Sequence, residues 1–500
     1  MASSDSRREG CVVDQIFRQY DIRGIVGVDL DADITELVGR AFGSHMRVAT
    51  GLEAPRVAVG HDNRLTSPEL VAGLIRGLLS TGCHVLDVGT VPTPVLYWSE
   101  VTFQTDGAVQ ITGSHNPPEW NGIKMTLGRG SLHGDAIQDL LRRIKESDFE
   151  SGDGGQEQLD VIDEYVADIA RRFQLTRPMK VAVDCGNGTG SLVAVQLLEA
   201  IGVEVTPLFC DSDPTFPNHH PDPTVDANLE DLIRSVRDTP HDMGVAFDGD
   251  ADRIGAVDEN GDIIRGDTLL LLYGLDVLAK HGPGQKLVFD VKCSQALPEV
   301  FEAAGGVPIM WQTGHSLIKE HMKETGALVA GELSGHIMIA DDYFGFDDAP
   351  YDACRLVELV SRSGRSLSEM VSDFPVYVST AEIRIDVTEE QKWAVVADAV
   401  SHFRTTHDVI EVDGVRVLFG DGWALLRASN TQPVIVARFE ARTEQRLAEI
   451  RAHIADWLTE NGVRAQDGDQ RDQRQRSSPD HLYPKCLCCP FRGSPPWHRV

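Results

Sequence analysis

Ser114 stands in the run Thr112-Gly113-Ser114-His115-Asn116-Pro117-Pro118, and far downstream lies Asp248-Gly249-Asp250-Ala251-Asp252-Arg253. The first run holds a hydroxyl on a turn too rich in Gly, Asn and Pro to be helix or strand. The second gathers three carboxylates within five residues and adds a guanidinium. Oxygen ligands at alternate positions suit Mg²⁺, which favours carboxylates and phosphate oxygens. An EF-hand loop is excluded, because the position that must be glycine is Arg253. Together the two runs imply a serine that carries a phosphoryl group beside Mg²⁺, and hence phosphoryl transfer.

Two further runs could bind a sugar phosphate. Gly331-Glu332-Leu333-Ser334-Gly335-His336 sets a carboxylate and a hydroxyl between glycines, side chains that bond sugar hydroxyls. Arg427-Ala428-Ser429-Asn430-Thr431-Gln432-Pro433 combines a guanidinium with small polar side chains and backbone N–H groups, the makings of a phosphate cradle. Standing alone, the former reads as an ordinary loop and the latter as a hairpin turn. Gly186-Asn187-Gly188-Thr189-Gly190 has the wrong spacing for a dinucleotide fingerprint and reads as a turn. Lys292 and His315 are each expected at the ligand-side end of a strand.

An internal repeat positions these loops. Val57 to His61 reads as a buried strand, followed by a polar turn, a helix from Ser67 to Leu79, Gly82, and a strand from His84 to Val88. The pattern returns at Val181 to Asp184, with a helix from Ser191 to Ile201 and a strand from Val203 to Phe209. It returns again at Leu287 to Val291, with a helix from about Ser294 to Ala304 and a strand from Val307 to Trp311. Each copy reads as a crossover unit of a largely parallel sheet. From about Val376 the order changes: strand, helix Glu389 to His402, several strands, then helix Glu444 to Leu458. That predicts an α/β chain of three topologically similar mixed α/β domains (12–155, 156–262, 263–375) and an α+β domain with an antiparallel sheet (376–464). Residues 465–500 lose apolar periodicity and are expected to be a disordered tail. In it, Cys486-Leu487-Cys488-Cys489 lacks the second ligand pair of a zinc site.

Composition narrows the function. The 500 residues exceed one hydrophobic core, and a net charge of -31 disfavours nucleic acid, whose non-specific binding needs clustered Lys and Arg. The first six cysteines show no pairing rhythm, as free thiols in a reducing compartment would not. Met1 to Gly10 lacks a signal-peptide core, and the longest apolar run, Leu269 to Tyr273, is too short for a membrane span. A cytoplasmic protein is expected, with no membrane partner.

The four loops, one per expected domain, together make the chain resemble the α-D-phosphohexomutase superfamily, closest to its bacterial phosphomannomutase/phosphoglucomutase group. The resemblance spans about residues 12 to 462 and extends to Phe17-Arg18-Gln19-Tyr20-Asp21-Ile22-Arg23-Gly24, Phe216-Pro217-Asn218-His219-His220-Pro221 and Trp311-Gln312-Thr313-Gly314-His315-Ser316. It implies four domains around a central cleft and a catalytic set of Ser114, Lys124, Arg23, Arg253 and His115. It implies that phosphorylated Ser114 and Asp248, Asp250 and Asp252 hold Mg²⁺. Glu332 and Ser334 would bond sugar hydroxyls, and Arg427, Ser429, Asn430 and Thr431 the phosphate not being transferred. Tyr20, Lys292, His315 and His336 would complete the substrate site. The implied reaction interconverts hexose 1-phosphate and hexose 6-phosphate, of mannose and of glucose, through a hexose 1,6-bisphosphate that also serves as activator. A phosphosugar is the expected partner, and a monomer or weak dimer the expected state. The alternatives are a phosphoglucosamine mutase, against which Asn430 speaks because that group usually has Gly there followed by Thr-Glu-Pro, and a non-catalytic phosphosugar-binding protein.

Overall fold

The computed structural model describes residues 14–430 and 432–463; the tail expected at 465–500 and Thr431 lie outside them. Three sheets repeat one plan. In the first, the adjacent strands are Trp120–Leu127, Gly107–Ile111, Arg56–His61 and His84–Thr90. In the second they are Ile254–Asp258, Met243–Phe247, Met179–Asp184 and Val203–Leu208. In the third they are Ile337–Ile339, Val329–Gly331, Lys286–Asp290 and Val307–Trp311. Taken in chain order, the first three strands of each set are parallel, as the repeat predicts. The fourth is antiparallel to its neighbour, so the sheets are mixed rather than largely parallel. The central strands are short apolar runs buried on both faces; Gly107–Ile111 and Met243–Phe247 are buried at every position.

The fourth sheet is antiparallel through Val434–Ala441, Gly422–Ala428, Val415–Leu418 and Asp408–Ile410, backed by the helices Glu389–Phe403 and Glu444–Glu460. Thr388 caps the first of these helices reciprocally with Gln391, so the change from strand to helix is fixed locally. The apolar run Leu269 to Tyr273 is buried inside the helix Gly266–His281. Among the described residues no helix is long and apolar enough to cross a membrane.

Two local expectations are corrected. The helix expected from Ser191 is a 3₁₀ turn, Thr189–Leu192, followed by the short helix Ala194–Ala200. His315 does not end a strand: it is the first residue of the helix His315–Thr325, because Gly314 at φ 140° turns the chain before it.

Candidate active site

Each of the four candidate loops is the turn of an antiparallel hairpin. The Ser114 loop joins Gly107–Ile111 to Trp120–Leu127, and the aspartate loop joins Met243–Phe247 to Ile254–Asp258. The Glu332 loop joins Val329–Gly331 to Ile337–Ile339, and the Arg427 loop joins Gly422–Ala428 to Val434–Ala441. A hairpin turn at the end of a buried strand projects side chains past the sheet while both its ends stay fixed.

Ser114 has φ 48°, in the left-handed region that costs a side chain strain. Arg64 holds it there. This buried guanidinium donates to the backbone oxygens of Ser114 (2.8 Å), Asn116 (2.6 Å), Pro117 (2.6 Å) and Trp120 (3.1 Å). Asp62 balances its charge at 3.1 Å and accepts the Gly113 amide at 2.8 Å. The Ser114 amide donates to Thr112 Oγ1, which donates on to Asp250 Oδ2.

So placed, Ser114 Oγ donates to Asp248 Oδ2 at 2.9 Å and lies 3.1 Å from His115 Nδ1. Asp248, Asp250 and Asp252 are fully buried, and one oxygen from each lies within 4.8 Å of the others. Burial pushes the Asp248 carboxyl well above its usual range, and Asp250 and Asp252 push it further. Burial would raise Asp250 too, but the Lys124 ammonium at 2.8 Å keeps it below the ordinary range. Lys124 also bonds Asp252. Burial disfavours its charge, yet the two carboxylates raise its pKa well above the usual value. In this arrangement the Lys124 ammonium is a counter-charge to the triad.

The other oxygens, Asp250 Oδ1 and Asp252 Oδ1, are buried without hydrogen-bond partners. Unpartnered buried carboxylate oxygens are costly, and a hard divalent cation is what three converging carboxylates satisfy. The donor set fits Mg²⁺.

The third loop meets the second directly. The Ile254 amide donates to Gly335 O at 3.1 Å, and His336 Nδ1 lies 3.6 Å from Asp252 Oδ1. Arg253 Nε donates to His336 Nε2 at 2.9 Å. His336 stacks on His315 with centroids 4.8 Å apart, and both Nδ1 atoms lie 3.1 Å from Asp347 Oδ2. These three residues have metal-ligand spacing. However, Lys319 sits 2.8 Å from the other Asp347 oxygen and Arg253 covers His336 Nε2, so two cations already occupy the approaches. Burial lowers the His115 pKa well below normal, and Arg253 and Arg23 add to the effect.

Glu332 accepts the Gly314 amide at 2.6 Å and the Ser334 hydroxyl at 3.2 Å. Burial would raise its pKa, but His336 and Lys292 outweigh that and lower it. Asp413 accepts the Thr313 amide at 3.1 Å and Arg427 Nε at 2.8 Å, linking the third loop cluster to the fourth. Tyr20 donates to Thr313 O at 2.9 Å and accepts from Asn430. Burial pushes its phenol up to about 12. Arg23 pairs with Asp21, and Ser429 Oγ accepts the Gln432 amide at 3.2 Å. The Lys292 ammonium lies 2.8 Å from Glu382 and 3.6 Å from Asp290.

The chain matches the four successive domain descriptions of one family: phosphoglucomutase/phosphomannomutase alpha/beta/alpha domain I over residues 14–151, domain II over 163–261, domain III over 265–377, and the C-terminal domain over 382–456. The chain belongs to the phosphoglucomutase/phosphomannomutase family. It is 48% identical over 444 residues to the phosphomannomutase/phosphoglucomutase of Pseudomonas aeruginosa, covering 89% of this chain and 95% of that one. It is 46% identical over 440 residues to the phosphoglucomutase of Neisseria meningitidis serogroup A, covering 87% and 95%. The crystal structure of a phosphoglucomutase/phosphomannomutase family protein from Burkholderia thailandensis superposes with a TM-score of 0.83 at 42% identity, covering 90% of this chain and 98% of that one.

In this family member, one chain of polar contacts runs from Ser114 through Asp248, Asp252, His336, Glu332, the adjacent backbone amides of Gly314 and Thr313, and Asp413 to Arg427. Sequence reasoning missed Arg64, Asp62, Asp347, Asp413 and Glu382. The one available signal was Asp62-Asn63-Arg64, at the end of a buried parallel strand where ligands gather.

Proposed function

We propose that the protein interconverts hexose 1-phosphate and hexose 6-phosphate, of mannose and of glucose, using a phosphoryl group carried on Ser114. The 2.9 Å contact between Ser114 Oγ and Asp248 Oδ2, beside two buried carboxylates that each keep an oxygen accepting no hydrogen bond, carries this reading. Mg²⁺ held by Asp248, Asp250, Asp252 and the phosphorylated Ser114 would supply positive charge to the phosphoryl oxygens. The remaining work falls to the protein. Arg64 and the hairpin keep Ser114 Oγ fixed. Arg253, poised between Asp248 and His336, adds positive charge beside the triad. Glu332 and Ser334 accept from sugar hydroxyls common to both hexoses. Arg427, Ser429, Asn430 and Thr431 take the phosphate that stays.

Ser114 would give its phosphoryl group to one end of the sugar. The resulting 1,6-bisphosphate turns end for end, and the other phosphate returns to Ser114. The working units are taken as residues 12–155, 156–262, 263–375 and 376–464, each supplying one loop.

A coupled assay with mannose 1-phosphate and glucose 1-phosphate, with and without a hexose 1,6-bisphosphate, tests the proposal alongside mass mapping of phosphate on Ser114. Turnover of both sugars, primed by the bisphosphate and abolished in a folded Ser114→Ala variant, is expected. Turnover by that variant refutes the phosphoserine. Activity confined to glucosamine 6-phosphate points to the aminosugar mutase, and binding without turnover to a binding protein.

A further inference from the structure

Two thiols lie together behind the metal loop. Cys185 immediately follows the strand Met179–Asp184, and Cys210 follows its parallel neighbour Val203–Leu208 by two residues. The strands stay joined past their last paired residues, by Cys185 N to Leu208 O at 3.2 Å and Asn187 N to Phe209 O at 2.8 Å. Their sulfurs are 3.1 Å apart. Cys185 is fully buried, whereas Cys210 is half-buried. The other free cysteines among the described residues, Cys83, Cys293 and Cys354, are buried.

We propose that Cys185 and Cys210 are a peroxide-sensitive disulfide site whose closure slows phosphoryl transfer. The slowing rests on the function proposed above; the disulfide itself does not. The Cys210 sulfur attacks one peroxide oxygen, forming a sulfenic acid and releasing water. The Cys185 sulfur then attacks the sulfenic sulfur, the S–S bond forms, and the sulfenic oxygen leaves as a second water. The two thiols lose two electrons and two protons, and hydrogen peroxide is reduced to two waters. Cys210 is suited to the first step: the neighbouring Cys185 thiol draws its pKa below the usual thiol value despite burial.

Bonding shortens the sulfur separation from 3.1 Å to about 2.05 Å, and a close-packed interior passes such a shift on. The residues after Cys185 lie against the aspartate loop. Asp184 accepts the Gly186 amide at 2.8 Å, and Thr189 donates through its amide (3.0 Å) and hydroxyl (3.2 Å) to Gly249 O, between Asp248 and Asp250. Asn187 O accepts Asn63 Nδ2 at 2.8 Å, beside Arg64, so the same turn also touches the support of Ser114.

The test treats the full-length protein with hydrogen peroxide, maps non-reduced peptides by mass, and assays hexose 1-phosphate turnover before and after dithiothreitol. The expected result is a Cys185–Cys210 linked peptide and a fall in kcat of about tenfold to a hundredfold, as a misplacement of about 1 Å can produce, reversed by the reductant. Cys210→Ser should keep its kcat under peroxide, and Cys185→Ala serves as the second variant should the first fold poorly. Consumption of peroxide without the linked peptide overturns the site. The linked peptide with unchanged kcat, or an equal loss in the variants, overturns its coupling to the metal loop. Because the linkage is read by mass, a protein without mutase activity would refute the proposed function and leave the disulfide site standing.

Discussion

Arg64 shows how much of the site rests on a buried residue behind the loop that carries the hydroxyl. Its guanidinium spans four carbonyls of the turn from Ser114 to Trp120, and Asp62 pairs with it out of water. A planar fork can bind several carbonyls at once, and an ammonium on a flexible stem cannot. Arg64→Lys keeps the charge but abandons some of these carbonyls, each at about 1–3 kcal/mol if left buried and unpaired. The variant should therefore lower both the melting temperature and kcat, with less phosphate on Ser114 by mass mapping. A normal kcat would show that the turn holds its left-handed Ser114 without help. Ser114 and the aspartate triplet were legible in the sequence because their chemistry is packed into a few adjacent residues. Arg64 was not, because its partners lie some fifty residues away and a lone arginine in a polar turn resembles any solvated cation.

At the scale of elements, the three repeated strand–helix–strand units were legible from apolar runs and punctuating glycines, and the structure bears them out. The antiparallel fourth strand was not, since a buried strand such as Met243–Phe247 carries no mark of its neighbour's direction. That strand matters most, because it makes each loop a closed hairpin and brings the turns close enough to touch. Two glycines mark the closest approach. A Cβ on Gly249 would strike Ser114 O, and a Cβ on Gly188 would lie 2.7 Å from Gly249 O. In both cases the obstacle is backbone, which cannot swing aside. Gly249→Ala should push the Ser114 and aspartate turns apart and cut kcat about a hundredfold, the scale of a 1 Å misplacement. Circular dichroism should remain native, because the clash lies at loop tips rather than in the core. Gly188→Ala acts one layer further out and should cost less. If Gly249→Ala has wild-type kcat and metal dependence, the two turns need not meet.

Over the whole molecule, the last domain is seated on the third by apolar and charged contacts together. Trp423 and Leu425 pack on Val291, and the buried Arg416 donates to Val291 O at 2.7 Å and Cys293 O at 2.9 Å. Nearer the site, Lys292 pairs with Glu382 at 2.8 Å across the same boundary. The sequence placed Lys292 on the ligand side but gave no hint of Glu382, ninety residues on in another domain. The Lys292 ammonium is the main cause that holds the Glu382 carboxyl down at about 2. In an unfolded chain a glutamate titrates near 4.3. A carboxylate whose pKa is depressed by folding stabilises the native state at pH values above its unfolded pKa, and the gain is lost as pH falls through the folded value. The pair should thus hold the two domains together at neutral pH and release them progressively between about pH 4.3 and 2, an effect of about 1 kcal/mol for a pair partly open to water. In Glu382→Gln the charge is gone at every pH. Its melting temperature should lie below wild type at pH 7, and the two curves should converge as pH approaches 2. Parallel curves across that range would mean that the ion pair contributes nothing to the seating, leaving Arg416 and the apolar contacts to hold the Arg427 loop in place.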